Sequence, residues 1–309
     1  MRNTYRYFGA ITVAAAMFAS GLPATCVAAE GRGSQTGATP RQVACPIQPN
    51  ADDLAGMAKM RDAMLTPGIK PDFSALMNSP QAKAYLDRAE ERQRNDWGDL
   101  CYYRTANVQQ RSLGRPQIVF MGDSITENWA AADPALFTGA VVGRGISGQT
   151  SSQMLLRFYA DVIALQPQMV HILAGTNDIA LNSGIISDDA YKNNIKAMVD
   201  LAQANHIGVI LASIPPSDAI SWVPDLKPAA RIAALNKWLQ EYAQKRGIRY
   251  VNYYAVLNDG HGGLLSTLGN DGVHPNRLGY VAMIGTLREI LPKLAKQALV
   301  KSASDRENR

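Results

Sequence analysis

The segment Gly122-Asp123-Ser124-Ile125 places a serine directly after a short apolar run, Ile118-Val119-Phe120-Met121. A serine hydroxyl is a weak nucleophile until a base takes its proton. Of the 4 histidines, His274 is the one with an acid three residues before it, in Asp271-Gly272-Val273-His274-Pro275. A tight turn brings such positions together, so Asp271 can orient the His274 imidazole and stabilise its charged form. Serine, histidine and aspartate in these roles perform acyl transfer. The tetrahedral oxyanion of that reaction needs donors placed where its charge develops. Three candidates are the backbone N–H of Ser124 at an expected helix start, the backbone N–H of Gly148, and the side-chain amide of Asn177. Gly148 ends Gly143-Arg144-Gly145-Ile146-Ser147-Gly148, and Asn177 sits in Gly175-Thr176-Asn177-Asp178. The missing Cβ at Gly148 lets its backbone come close to a substrate. Asp123 is read as a capping residue and Asp178 as a structural one.

These residues are far apart in the chain, so a fold must gather them. From Pro116 onward short apolar runs alternate with helix-period segments. The runs are Ile118 to Met121, Val141-Val142, Val170-His171-Ile172-Leu173, Val209-Ile210-Leu211 and Tyr250-Val251. The intervening helices carry Tyr191, Ile195, Met198, Val199 and Ala202; then Ile232, Leu235, Leu239 and Tyr242; then Tyr280, Ile284, Leu287 and Leu291. Unbroken apolar strands between amphipathic helices predict an α/β fold with a parallel sheet covered on both faces. Right-handed crossovers put the strands' carboxyl ends on one edge, where such sheets bind ligands. Three of the four polar segments directly follow predicted strands. Upstream, about Ala51 to Asn107 is helical in pattern, with Met57, Met60 and Met64 on one face as core filler and Ser79-Pro80 opening a helix.

Taken in order, the four segments resemble the signature blocks of the SGNH, or GDSL, hydrolases. Ser124 matches the nucleophile of the first block, Gly148 the glycine of the second, Asn177 the asparagine of the third, and Asp271 with His274 the last pair. Gly143 stands where relatives commonly place an asparagine. The resemblance covers about Pro116 to Leu291. It implies a flavodoxin-like three-layer α/β/α fold and a metal-free Ser–His–Asp mechanism that needs no cofactor. It is closest to bacterial members similar to platelet-activating-factor acetylhydrolase, which act on short acyl esters; the expected partner is a small ester or an acylated carbohydrate. Trp129 and Trp222 are candidate pocket residues, although tryptophans equally fill cores.

Composition sets the surroundings of this chemistry. With 47% hydrophobic and 18% charged residues among 309, a packed core is available and wholesale disorder is excluded. Lysine and arginine exceed the acids by 31 − 26 = +5, without a basic stripe interleaved with aromatics, so nucleic acid is not an expected partner. The histidines are too scattered for a zinc site. Arg2 and Arg6, the apolar stretch from Phe8 to Leu22 and the small residues Val27-Ala28-Ala29 read as a cleavable export signal. Cleavage leaves no membrane span and two cysteines, Cys45 and Cys101, expected to pair in an oxidising compartment, periplasmic or extracellular. Closing that loop stabilises by up to roughly 4 kcal/mol. The expected organisation is a signal peptide at 1–29, a flexible leader at 30–44, an N-terminal helical extension at 45–115, the hydrolase domain at 116–300 and a polar tail at 301–309.

Two rivals follow from the same residues. Gly143-x-Gly145-x-x-Gly148 after a strand matches a dinucleotide-binding fingerprint, as in an oxidoreductase, but no acid ends the next strand. A secreted carbohydrate-binding protein could also keep this fold without turnover.

Overall fold

The computed structural model describes Cys45, residues 51–70 and residues 80–290. The expected signal and leader, Ser79, and the segment from Leu291 through the polar tail lie outside the described residues. Cys45, in the unit Met1–Cys45, and Cys101, in the unit Pro46–Arg309, are both disulfide-bonded.

In the second unit, α1 (Ala51–Leu65), α2 (Pro80–Asn95) and α3 (Arg104–Leu113) precede the sheet. Strands and helices then alternate: β1 (Ile118–Gly122), α4 (Ser124–Ala132), β2 (Val141–Gly145), α5 (Ser151–Asp161), β3 (Met169–Leu173), α6 (Thr176–Ile179) and α7 (Asp188–Ala204). The chain continues through β4 (Gly208–Ala212), α8 (Ala229–Arg246), β5 (Arg249–Val251), α9 (Tyr253–Leu257) and α10 (Arg277–Ile290). All five expected strands form. They pair in parallel in the order β2-β1-β3-β4-β5.

Strand periodicity builds the two core layers. In β1, Val119 and Met121 point into a cluster with Met154 and Phe158 of α5, Ile195 and Met198 of α7, and Leu235 and Leu239 of α8. Ile118 and Phe120 point the other way, toward Ile125 and Trp129 of α4, Tyr253 of α9, and Met283 and Leu287 of α10. Leu65 at the end of α1 joins this second layer. Each fully buried aliphatic side chain contributes roughly 1.5–3 kcal/mol relative to exposure, so the alternation alone fixes which way β1 faces. In the methionine stripe of α1, Met64 is buried and Met57 and Met60 are half-buried.

The strand order decides where a ligand site can form. The connection after β1 runs to one side, to β2; the connection after β2 passes back over β1 to β3. The crevice at this reversal lies beyond the carboxyl ends of β1 and β3. Ser124 starts the helix after β1, and Asn177 lies in the short helix after β3.

Candidate active site

Ser124 is the first residue of α4. The Asp123 carboxylate caps that helix by accepting the Ile125 N–H at 2.9 Å. The Ser124 N–H is among the first-turn amides that no helical carbonyl serves, at the positive end of the helix dipole. Its Oγ lies 2.9 Å from Nε2 of His274, although 150 residues separate them in sequence. On the other side of the ring, Nδ1 lies 2.6 Å from Oδ2 of Asp271. The second Asp271 oxygen accepts the N–H groups of Val273 at 2.9 Å and His274 at 2.7 Å. One carboxylate thus holds both the ring and the turn that carries it. The result is a hydroxyl–imidazole–carboxylate chain through which a proton can leave the serine oxygen.

Burial of His274 disfavours its charged form, but the Asp271 charge and hydrogen bond outweigh this and leave its pKa raised above 6.5. Asp271 is lowered against its own desolvation by the same pairing. Asp123 behaves differently. Complete burial pushes it up to about 7, against the lowering effects of its Ile125 hydrogen bond and of His274. Its charge in turn raises the His274 pKa. A histidine that must be neutral to act as base gives activity that is lost as pH falls through its pKa. In Asp123→Asn, an oxygen can still cap Ile125 while the charge is gone, so the acid limb of kcat/KM should move to lower pH. A pH profile on p-nitrophenyl acetate checks this; an unmoved limb would show that Asp123 does not act electrostatically on the base.

The loop from β2 to α5 is shaped by two glycines for different reasons. At Gly145 a Cβ would stand 2.2 Å from the Glu127 backbone nitrogen, so only glycine lets β2 end against the first turn of α4. At Gly148 a Cβ would meet nothing within 4 Å; here the constraint is φ of +81°, in the left-handed region. The positive φ is a reason for glycine at this position in addition to the close approach to a substrate that a missing Cβ allows.

Long-range contacts anchor this loop. Glu127 Oε2 accepts both the N–H (2.8 Å) and the hydroxyl (2.6 Å) of Ser147. Its other oxygen accepts from Tyr102 at 2.9 Å and from Arg61 at 3.4 Å. The Gln149 side chain is buried; Nε2 donates to Asp99 Oδ2 at 2.9 Å and to the Gly98 carbonyl at 3.3 Å, and Oε1 accepts from Arg157. The Tyr103 hydroxyl donates to the Gly145 carbonyl. Residues before the sheet therefore hold the loop that carries Gly148.

Asn177 is buried beside this loop. Its Nδ2 donates to the Gln149 carbonyl at 3.0 Å and, more weakly, to Asp123 Oδ2 at 3.4 Å, while its Oδ1 accepts from Asn182 at 2.6 Å. Asp178 is structural, as expected: it accepts the N–H of Ser151, the first residue of α5, at 3.0 Å.

The two tryptophans part company. Trp129 does not line a pocket. It is 0% exposed, in edge contact with Phe120 and Tyr253, because its spacing from Ile125 puts both on the sheet-facing side of α4. Trp222 does reach the site: its ring stacks on His274 at 6.3 Å between centroids, and its Nε1 donates to Asn182 Oδ1 at 3.0 Å. His171 is a core residue 3.0 Å from the Tyr253 hydroxyl, its pKa lowered by burial to about 3. The glycine-rich loop is unsuited to a dinucleotide, since the Glu127 carboxylate already occupies the Ser147 N–H and would repel a pyrophosphate.

A family profile described as GDSL-like Lipase/Acylhydrolase matches residues 120–282. The crystal structure of an assigned acylhydrolase from Bacteroides fragilis is 42% identical, with a TM-score of 0.61, covering 65% of this chain and 99% of that one. A GDSL-like lipase from Bacteroides thetaiotaomicron is 39% identical, with a TM-score of 0.60, covering 66% of this chain and 100% of that one. No curated protein is detectably similar to the chain. The polar segments at the ends of β1, β2 and β3 and before α10 thus belong to an ester hydrolase, and the chain is a member of the GDSL-like lipase/acylhydrolase family.

Proposed function

We propose that this protein is an exported serine esterase that hydrolyses short acyl esters through an acyl-enzyme. The observation that carries the reading is the unbroken chain from Ser124 Oγ through His274 to Asp271. Ser124 Oγ attacks the ester carbonyl carbon while His274 Nε2 takes its proton. The carbonyl π-pair moves onto oxygen, and three donors receive that charge: the N–H of Ser124, the N–H of Gly148 and Nδ2 of Asn177. The 3.4 Å contact of Asn177 with Asp123 is the weaker of its two, so that hydrogen is the one an oxyanion draws away. When the tetrahedral species collapses, the C–O bond to the alcohol breaks and His274 returns the proton to the departing oxygen. Water then enters, gives a proton to His274, and attacks the acyl-enzyme; the second collapse frees the acid and restores Ser124.

Short acyl groups are favoured because the described residues around the site include no broad apolar lid. Trp222, set over His274, narrows the space beside the imidazole. Export is supported by Arg2, Arg6, the apolar stretch that follows them and the Val27-Ala28-Ala29 cleavage pattern. The disulfide-bonded cysteines are consistent with an oxidising compartment. Among the described residues, no helix is long and apolar enough to cross a membrane.

The test is hydrolysis of p-nitrophenyl acetate by the purified protein, compared with longer acyl esters. Acetate should be preferred, with a burst of p-nitrophenol before steady state. Asn177→Ala should lower kcat by about 10²–10³ with little change in KM, because its donor matters only once charge develops. A protein that leaves the acetate intact, or an Asn177→Ala variant of undiminished kcat, overturns the assignment.

A further inference from the structure

Two side chains beside the reaction centre join its two halves. Trp222, between β4 and α8, stacks on His274, and its Nε1–H donates to Asn182 Oδ1 at 3.0 Å. The other end of the Asn182 amide, Nδ2, donates to Asn177 Oδ1 at 2.6 Å. The indole packs against an apolar cluster of Ala180, Ile220 and Val273. Ala180 directly follows α6, and Val273 directly precedes His274. The ring is therefore seated between the turn that carries the base and the helix that carries the Asn177 amide.

The polarity of this row is decided at its indole end. The two ends of an asparagine amide are nearly the same size, so its hydrogen bonds choose between its two orientations. An indole N–H donates and cannot accept. Asn182 must therefore turn its oxygen to Trp222, which leaves its NH₂ for Asn177. Asn177 must then turn its oxygen to Asn182. Its own NH₂ faces the Gln149 carbonyl and Asp123, the residue before Ser124. The Gln149 carbonyl requires the same orientation from the opposite end, so the Asn177 amide is fixed at both ends. Hydrogen bonds in series also polarise one another, so a donor on Asn177 Oδ1 makes its Nδ2–H a stronger donor.

The backbone is bent to bring Asn182 to this place. Leu181, just after α6, has φ of +59°, in the left-handed region where a leucine is rarely found. The Asn182 N–H closes the turn by donating to the Asn177 carbonyl at 3.1 Å. Asn182 is thus bonded to Asn177 twice, once by main chain and once by side chain. Strain of this kind persists where its surroundings fix it, and it clusters at active sites. We propose that Trp222 and Asn182 are positioning residues of the oxyanion hole. The indole N–H sets the direction of the Asn182 amide, and Asn182 in turn directs and strengthens the Asn177 donor. This role rests on the esterase reading above and adds two residues to its oxyanion machinery. It gives Trp222 a part that needs no contact with substrate.

The experiment combines kinetics on p-nitrophenyl acetate, at a pH above the acid limb, with thermal melts and the nitrogen–proton spectrum of the indole groups. Of the 4 tryptophan indole signals, that of Trp222 is the one lost in Trp222→Phe. Asn182→Asp keeps the shape and still accepts from Trp222, but it offers Asn177 an acceptor in place of a donor. The Asn177 NH₂ is then drawn toward the new carboxylate, and kcat should fall by about tenfold or more with KM unchanged. Trp222→Phe keeps a ring over His274 and removes only the N–H; kcat should fall by roughly threefold, again with KM unchanged. The turn is closed by main-chain atoms, so both variants should melt as wild type does. In an Asn177→Ala background neither substitution should change kcat by more than about twofold, because the amide they direct is gone. Asn182→Ala and Asn177→Ala should each move the Trp222 indole proton upfield. Losses that persist in full without Asn177, or that are carried by KM, mean packing alone and overturn the positioning role. If p-nitrophenyl acetate is cleaved and both variants keep the wild-type kcat, the role is wrong and the esterase stands. If the wild-type protein cleaves nothing, the esterase reading fails and the indole signal decides the row: it stands if Asn177→Ala moves that signal and falls if it does not.

Discussion

Ser124→Ala should abolish turnover while leaving the fold intact. Removing a nucleophile whose base and orienting acid remain in place costs about 10⁶ in kcat, roughly 8 kcal/mol of barrier. The structure explains why the loss should be purely catalytic. Oγ of Ser124 bonds to His274 Nε2, whereas the cap that holds α4 in place comes from the neighbouring Asp123. Alanine is also a better helix former than serine, so the first turn of α4 is not weakened. The melting temperature should therefore match that of wild type. Steady-state kinetics on p-nitrophenyl acetate, with a thermal melt on the same preparation, are sufficient. A variant retaining a tenth of the wild-type rate would mean that water, activated by His274, attacks directly and that no acyl-enzyme forms.

Much of this centre could be read from the chain because its chemistry is local to motifs. Asp271 and His274 are three residues apart, and a turn closed by the aspartate itself brings carboxylate and ring together. Ser124 and Asn177 each follow an apolar strand, and parallel strands deliver their ends to one edge whatever the loops between them do. The five strands were recognisable for a related reason: in β1, each side chain is buried on one face or the other, so the run is apolar throughout.

What the sequence conceals is held by single contacts between distant polar residues. Gln149 meets Asp99 across 50 positions, and Glu127 meets Ser147 across 20 and Tyr102 across 25. A glutamine or glutamate carries no mark of such a partner; a buried one looks in sequence like a solvated one. Helical extension is therefore an incomplete description of the residues before β1. Asp99 and Gly98 hold Gln149, whose carbonyl in turn receives the Asn177 amide. Trp129 shows the converse difficulty. It lies five residues beyond Ser124, and proximity in sequence suggested a pocket residue, yet helical geometry rotates it to the sheet side and buries it. Spacing of four from Ile125 was the available signal.

Asp271→Asn should lower kcat by about 10⁴ with the fold preserved, because it changes one proton's location and little else. In the native site Oδ2 receives a hydrogen bond from Nδ1–H of His274 at 2.6 Å, which leaves Nε2 unprotonated and able to take the serine proton. Oδ1 separately accepts the Val273 and His274 N–H groups and so shapes the turn. An asparagine can keep its oxygen on those two backbone donors. Its NH₂ then faces Nδ1, and a donor there favours the tautomer with hydrogen on Nε2, the nitrogen that must be bare for catalysis. The turn survives while the base is disabled. The substitution also removes the charge that raises the His274 pKa, so the acid limb of the residual activity should move to lower pH. If the aspartate served only to close the turn, Asp271→Asn would behave as wild type and Asp271→Ala would fail. Measuring both variants for kcat, pH profile and melting temperature separates these cases, and an active Asp271→Asn would remove the carboxylate from the proton-transfer chain.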